Sequence, residues 1–379
     1  MGQTRLVPAD ETLYHQAVSS FAATESSDPR WTEKIWVSIH DIPSGYQLTL
    51  GVGKYPNRGV VDGFAGLALG NDQWAVRASR KLSDRKEDTE VGPIRYEVVE
   101  PLKQIRLTLE RGVTTDFSFD VVMTQWTPPG MEARWPTYSS VTGALTSDVI
   151  RYHQCGTASG WLEHRGQKVV FAPDSPAFRD HSWGIRSGIG KPLTGVVAEQ
   201  SPRSRYRLWA PFMLERADGT RYSLHLSLLR ELHDDGSVTN LFDGGEESET
   251  GGRRDFLGVI PHLEFDPRTR RLLGGYFDAI ETNGRSRRLT VAPARATGFH
   301  IGMGGYYHSE TSSHYLGQWH GDEWSDVVEA VGTDRTDTVA KVHQTRDVLC
   351  LIDDPEVGGS GYGLIETIVV GPFPELGLE

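Results

Sequence analysis

Residues 222–228 read Tyr-Ser-Leu-His-Leu-Ser-Leu, a strict alternation of apolar and polar side chains. Successive side chains of an extended chain point to opposite faces, so Tyr222, Leu224, Leu226 and Leu228 share one face and Ser223, His225 and Ser227 the other. A half-buried antiparallel strand requires this pattern, and a helix of 3.6 residues per turn forbids it. Turn signals bracket the run, Asp218-Gly219 before it and Asp235-Gly236 after it. The style recurs along the chain. Residues 34–40 and 46–52 flank Pro43-Ser44-Gly45, and 73–78, 94–99, 105–110 and 115–123 follow, punctuated by Pro93, Pro101 and Gly112. Residues 160–164 and 167–171 flank Arg165-Gly166 as a hairpin. Beyond them, 208–216, 221–230, 271–276, 288–292, 299–303, 317–320, 339–348 and 362–370 read as further strands.

Short strands with frequent turns predict an all-β barrel or sandwich. The strands are too many for one small barrel. Two antiparallel β-barrels in tandem fit the count, one over residues 1–170 and one over 171–379, joined near 170–178. One short N-terminal helix is expected to open at residues 8–12, with Leu13, Ala17 and Val18 on one face, and to end before 26–29. Residues 244–254, rich in Gly and Glu, read as a mobile surface loop.

The charge balance narrows the function. A formal charge of −12 and the lack of an extended Lys/Arg run argue against nucleic-acid binding. The short clusters Arg253-Arg254 and residues 268–271 sit in turn-like contexts. No apolar run is long enough to span a membrane, and the polar start lacks the apolar core of a secretory signal, so the cytoplasm is the default compartment. Two cysteines without CxxC spacing, Cys155 and Cys350, leave neither a disulfide framework nor a thiolate zinc site. No dinucleotide fingerprint, P-loop, HExxH or GxSxG elbow occurs, so no cofactor is expected.

The chemistry concentrates in Phe178-Arg179-Asp180-His181-Ser182-Trp183-Gly184-Ile185-Arg186. In an extended chain Asp180 and Ser182 point one way and His181 and Trp183 the other. An indole beside an imidazole offers a flat apolar wall with one proton-active group, suited to an alkene or a carbocation. A carboxyl in an apolar cavity has a raised pKa and can act as a general acid, while Arg179 or Arg186 would favour its carboxylate. The structural alternative is a buried Arg–Asp pair that locks two barrels together, with Trp183 as core. Tyr362, Leu364 and Glu366 share a face of an apolar strand, so Glu366 needs a partner, and an arginine of the central motif is the natural candidate for a structural ion pair. His308, Glu310, His314 and His320 are evenly spaced and could ligate a metal on an unbroken strand, but Thr311-Ser312-Ser313 and Gly317 suggest a turn, and no metal site is assigned.

The segment Gly160-Trp161-Leu162-Glu163-His164-Arg165-Gly166, followed by residues 178–186, resembles the AttH-like and carotenoid 1,2-hydratase superfamily, as does residues 94–102, Ile-Arg-Tyr-Glu-Val-Val-Glu-Pro-Leu. The resemblance implies two lipocalin-like β-barrels, an apolar and often isoprenoid ligand, and cofactor-free acid–base addition of water to an alkene. It matches Asp180, His181 and Trp183 as catalytic positions. The family's Tyr-x-Asp pair has no counterpart at Tyr206-Arg207-Leu208, whereas Tyr276-Phe277-Asp278 has the letters but lies further along. Tyr206, Trp209, Tyr276 and Asp278 are the candidate substrate contacts, and Asp180, Asp278 or neither is the proton donor. The expectation is a hydro-lyase acting on a small hydrophobic, terpenoid alkene or tertiary alcohol, with self-association into a homo-oligomer left open. The alternatives are a lipocalin-like binding protein without chemistry and a cyclase or isomerase of a polyene.

Overall fold

A computed structural model describes residues 6–15, 26–85, 87–112, 116–191, 195–197, 201–295, 298–307 and 313–379. The architecture is all-β and antiparallel. In the first part the strands are β1 (Trp31–His40), β2 (Tyr46–Tyr55), β3 (Val60–Leu69), β4 (Asp72–Lys81), β5 (Ile94–Glu100), β6 (Gln104–Leu109), β7 (Phe117–Gln125), the two-residue β8 (Gly130–Met131) and β9 (Thr137–Tyr138), and the long β10 (Leu145–His164) and β11 (Gln167–Ile185). The rest are β12 (Ser204–Arg216), β13 (Arg221–Leu232), β14 (Val238–Ser248), β15 (Arg253–Phe265), β16 (Leu272–Glu281), β17 (Ser286–Pro293), β18 (Phe299–His300), β19 (Glu323–Ala330), β20 (Arg346–Asp354) and β21 (Gly359–Val370).

The first sheet runs β19-β4-β3-β2-β1-β11-β10-β7-β6-β5 and curls into a half-barrel. The second runs β17-β16-β15-β14-β13-β12-β21-β20, and pairing of β17 with β20 closes it into a barrel. Both patterns follow from alternation. Ile35, Val37 and Ile39 of β1 enter the first core, while Leu208, Ala210 and Phe212 of β12 enter the second. The opposite faces of the same strands meet in a third cluster, where Trp36, Phe64 and Phe178 pack with Trp209, Met213, Leu349 and Leu364. That cluster is the junction between the halves. Arg165-Gly166 forms the expected hairpin, with both residues at positive φ (51° and 79°), as a tight turn matched to strand twist demands.

Several expectations change. The strand β11 crosses the position expected for the boundary at 170/171 and lies wholly in the first sheet, and β19, late in the chain, returns to that sheet's edge beside β4. The N-terminal helix is only a 3-10 turn, Pro8–Glu11; the chain is already extended at Thr12, and Ala17 and Val18 lie outside the described residues. Residues 244–248 are strand, not loop, because Glu246 and Glu247 are buried against Arg287 and Arg253. Residues 317–320 are irregular, and 336–342 form the one regular α-helix among the described residues, Thr336–Val342, ahead of β20. No helix among the described residues is long and apolar enough to cross a membrane.

Candidate active site

Strand β11 splits the central motif between two chambers. Arg179 and His181 point into the first half-barrel, whereas Phe178, Asp180 and Ser182 point to the junction. The alternation is as the sequence implied, and its consequence is that Asp180 and His181 serve different sites.

Inside the first half-barrel, the N-terminal segment delivers two side chains. Arg179 grips Glu11 through paired bonds of 2.6 and 2.9 Å. The hydroxyls of Tyr96 and Tyr152 donate to the same carboxylate at 2.9 and 3.1 Å, and the backbone N–H of Leu102 adds a bond of 2.6 Å. Burial raises the Glu11 pKa, but the Arg179 charge and these bonds outweigh it and hold the carboxyl at about 2. Tyr152 also meets His181 Nδ1 at 3.2 Å. Glu33 Oε1 lies 3.0 Å from His181 Nε2 and 2.5 Å from His15 Nδ1. Burial would raise the Glu33 pKa, yet the two imidazoles hold it below the ordinary range. Burial lowers the His15 pKa, but the Glu33 bond overrides it and the net shift is upward. The His15 ring stacks on Trp183 with centroids 3.8 Å apart. Arg179 thus forms a buried ion pair, with Glu11 rather than an aspartate as its counter-ion.

The junction is the second chamber. Asp180 Oδ2 stands 3.0 Å from Arg151 Nε, and Arg186 donates to Ser182 Oγ at 2.6 Å. Across from them, Asp347 of β20 and Glu366 of β21 are directly paired in register. Among the described residues neither Asp347 oxygen receives a hydrogen bond from a donor group, and the Glu366 carboxyl lies against it. Two carboxyls so placed share a proton more readily than they both ionise. Burial pushes both upward, and the Glu366 charge pushes Asp347 well above the ordinary range. Burial also raises Asp180, against the pull of Arg151 and Arg186. No arginine lies within ion-pair distance of Glu366 among the described residues, so the ion pair anticipated for Glu366, and for Arg186, is not formed; Arg207, Arg151 and Arg186 act on it as nearby charges. The side chain of Asp180 keeps 15% of its surface exposed, and Arg186, Arg207, Glu366 and Tyr306 are also only partly covered, so solvent reaches this chamber. An open surface hollow of about 450 Å³, bounded by Val99, Arg106, Asp120 and Trp161, lies elsewhere, on the outer face of β5–β7.

Trp209 also faces the junction, where its indole N–H donates to Glu132 at 2.8 Å and its ring meets Trp36 edge-on. Tyr206 does not; it lies inside the second barrel against Phe265 and Phe373. Tyr276 and Asp278 are on the barrel's outer face, around the barrel from β12, where Asp278 pairs with Arg288 at 2.9 Å and Tyr276 stacks on His262. Alternation explains both, because Phe277 and Ala279 take the inward positions. These three residues therefore stand apart from the junction.

Among the described residues, two groups carry the two imidazoles and one carboxylate that can hold a metal, His15–Glu33–His181 and Glu132–His153–His225. In the first, Glu33 is already hydrogen-bonded to both rings. In the second the rings stack at 4.0 Å and 17°, and nearly parallel rings cannot both aim lone pairs at one ion. His314 and His320 contact one another at 3.1 Å beside Trp324, while His308 and Glu310 lie outside the described residues. The junction residues Lys34, Glu132, Arg151, Arg207, Tyr306 and Asp347 were not singled out from the sequence. Asp347, a lone acid opening the apolar run Val348–Leu349–Cys350–Leu351–Ile352, carried the same signal as Glu366.

Solved structures share this architecture. A protein from Nitrosomonas europaea provisionally assigned as AttH aligns over 97% of this chain and 97% of its own, at 11% identity and a TM-score of 0.56. Kievitone hydratase from Nectria haematococca aligns over 95% of this chain and 96% of its own, at 11% identity and a TM-score of 0.50. The resemblance read from residues 160–186 is thereby borne out at the level of the fold. No curated protein matches the chain. A family model matches residues 6–379, nearly the whole sequence, and the chain accordingly belongs to the Family of unknown function (DUF8625).

Proposed function

We propose that the chain is a cofactor-independent hydro-lyase that works at the junction on a small hydrophobic, terpenoid alkene or tertiary alcohol. The Asp347–Glu366 pair carries this reading. Facing carboxyls held above the ordinary range keep a proton that an isolated carboxyl would have lost. In dehydration, that proton goes to the departing hydroxyl, which leaves as water. Trp36, Trp209 and Tyr306 supply ring faces for the developing cation. Asp180, beside Arg151, takes the adjacent proton as the alkene forms. Hydration is the same path reversed. This assignment moves the acid from Asp180 to the pair and leaves His181 to organise the other chamber. A protein of the same fold named for a hydratase activity supports the reaction class.

The test is a sealed-vial assay with small terpene alcohols and their alkenes, read by gas chromatography in the presence of chelator. Wild type should interconvert at least one pair. Asp180→Asn and Glu366→Gln should each lower turnover by about 100-fold or more while retaining the wild-type circular dichroism spectrum. Full activity in both variants would remove the junction from the mechanism. Solvent oxygen-18 entering the alcohol separates a hydro-lyase from a cyclase or isomerase.

A further inference from the structure

Lys34 faces the junction from β1 and has no hydrogen-bond partner among the described residues. It sits on β1 between Gly53 of β2 and Ser182 of β11, on the face shared with Trp36. Its side chain is 1% exposed, and Nζ finds no acceptor among the described residues. The nitrogen rests 4.4 Å from the centre of the Tyr306 ring and 6.0 Å from that of Phe64. The acid that could pair with it, Asp62, is occupied: its oxygens accept from Tyr55 OH at 2.9 Å and from the Gly317 N–H at 2.6 Å. A structural lysine would be expected to close an ion pair, since a buried ammonium without a counter-charge is costly to hold. An amine kept away from its carboxylate in a buried site holds its charge less firmly, although the Tyr306 ring face favours the ammonium. Burial lowers its pKa to about 8, with the Asp62 and Asp180 charges only partly opposing.

We infer that Lys34 is a nucleophilic amine that captures an aldehyde or ketone carried on an apolar skeleton, as a Schiff base in the junction chamber. The site is shared with the proposed hydro-lyase, but the capture goes beyond that reaction and does not depend on it. In the step, the Nζ lone pair attacks the carbonyl carbon and a proton passes from nitrogen to oxygen, giving a carbinolamine. A second proton, from a carboxyl of the chamber, goes to that hydroxyl, which departs as water while the nitrogen lone pair closes the C=N bond. Asp180 is placed to give it, two residues from Ser182, the cross-strand neighbour of Lys34. The product is a protonated imine with the Asp180 carboxylate as counter-charge. Tyr306 and Phe64 select for the apolar skeleton.

The experiment is borohydride trapping on the full chain. Protein at pH 7 receives one equivalent of decanal or 2-undecanone, then sodium borohydride, which reduces any imine to a stable secondary amine. Peptide mass spectrometry then locates the adduct. The expected result is modification at Lys34 about tenfold or more above each of the exposed Lys81, Lys103 and Lys168, reflecting the larger share of neutral amine. Lys34→Arg, which keeps charge and bulk, should remove that adduct and leave the surface background. Even labelling of the lysines, a dominant adduct on Lys54, or an unchanged pattern in Lys34→Arg would each overturn the inference. Alkene turnover is scored separately on the same preparation. Turnover without trapping sinks the Schiff base and spares the hydro-lyase, and trapping without turnover does the reverse.

Discussion

Asp347 and Glu366 face each other across β20 and β21, with no cation in ion-pair contact among the described residues. The pair makes stability depend on pH in a defined direction. Both carboxyls have pKa values raised on folding, so the folded chain binds more protons than the unfolded chain above the unfolded value. Stability therefore falls as pH rises through the raised folded values. Asp347→Asn, which keeps the shape and removes the charge, should be more stable than wild type at pH 8, by about 1 kcal/mol or more, and gain little at pH 4. Urea titrations at the two pH values measure it.

The Glu11–Arg179 pair has the opposite sign. The Glu11 pKa is depressed to about 2 from 4.5, so its contribution is complete above the unfolded value and is lost as pH falls towards 2. Glu11→Gln leaves the Arg179 charge buried and should cost about 3–5 kcal/mol at neutral pH, while flattening the acid limb of the unfolding curve. Chemical denaturation between pH 2 and pH 7 is the measurement.

The stacked pair His153 and His225 ties the halves together. Burial, with help from the His153 charge, holds His225 well below 6.5. The unfolded chain takes up a proton there that the folded chain refuses, so this term stabilises above the unfolded pKa and fades as pH drops below it. His225→Phe should lose part of the wild-type decline in melting temperature between pH 7 and pH 5, read by differential scanning calorimetry.

Asp278 supplies a control. It forms a surface pair with Arg288 on the far wall of the second barrel. Exposed pairs contribute little, so Asp278→Asn should shift the melting temperature by no more than about 2 °C and leave any junction activity at the wild-type level. A large loss of activity would return Asp278 to the site.

Local pattern carried the strands because side-chain parity is a property of a few neighbouring residues. Tyr222 to Leu228 and the Arg165-Gly166 turn needed nothing else, and parity also separated Asp180 from His181. Which chamber each face would meet depends on pairings between distant segments. Glu11 reaches Arg179 across 168 positions, and nothing near either residue encodes the partner. The Tyr276 and Asp278 positions misled for the same reason: their motif letters are local, but the barrel turns that stretch outward. The return of β19 to the first sheet was illegible because the alternation of an edge strand names no neighbour.

That return also orders events during synthesis. Trp74 donates to Glu329 at 2.8 Å, and Arg77 is bound by Asp326, so the edge of β4 is sealed by residues that leave the ribosome some 250 positions later. Until then the nascent first half presents an unpaired strand, the kind of edge that recruits other chains. A fragment ending near residue 300 would display it permanently and should self-associate, and supplying residues 313–379 as a separate peptide should suppress the association. The late strand works as a cap on an early liability, and the gene cannot be cut into two independently folding halves without exposing it.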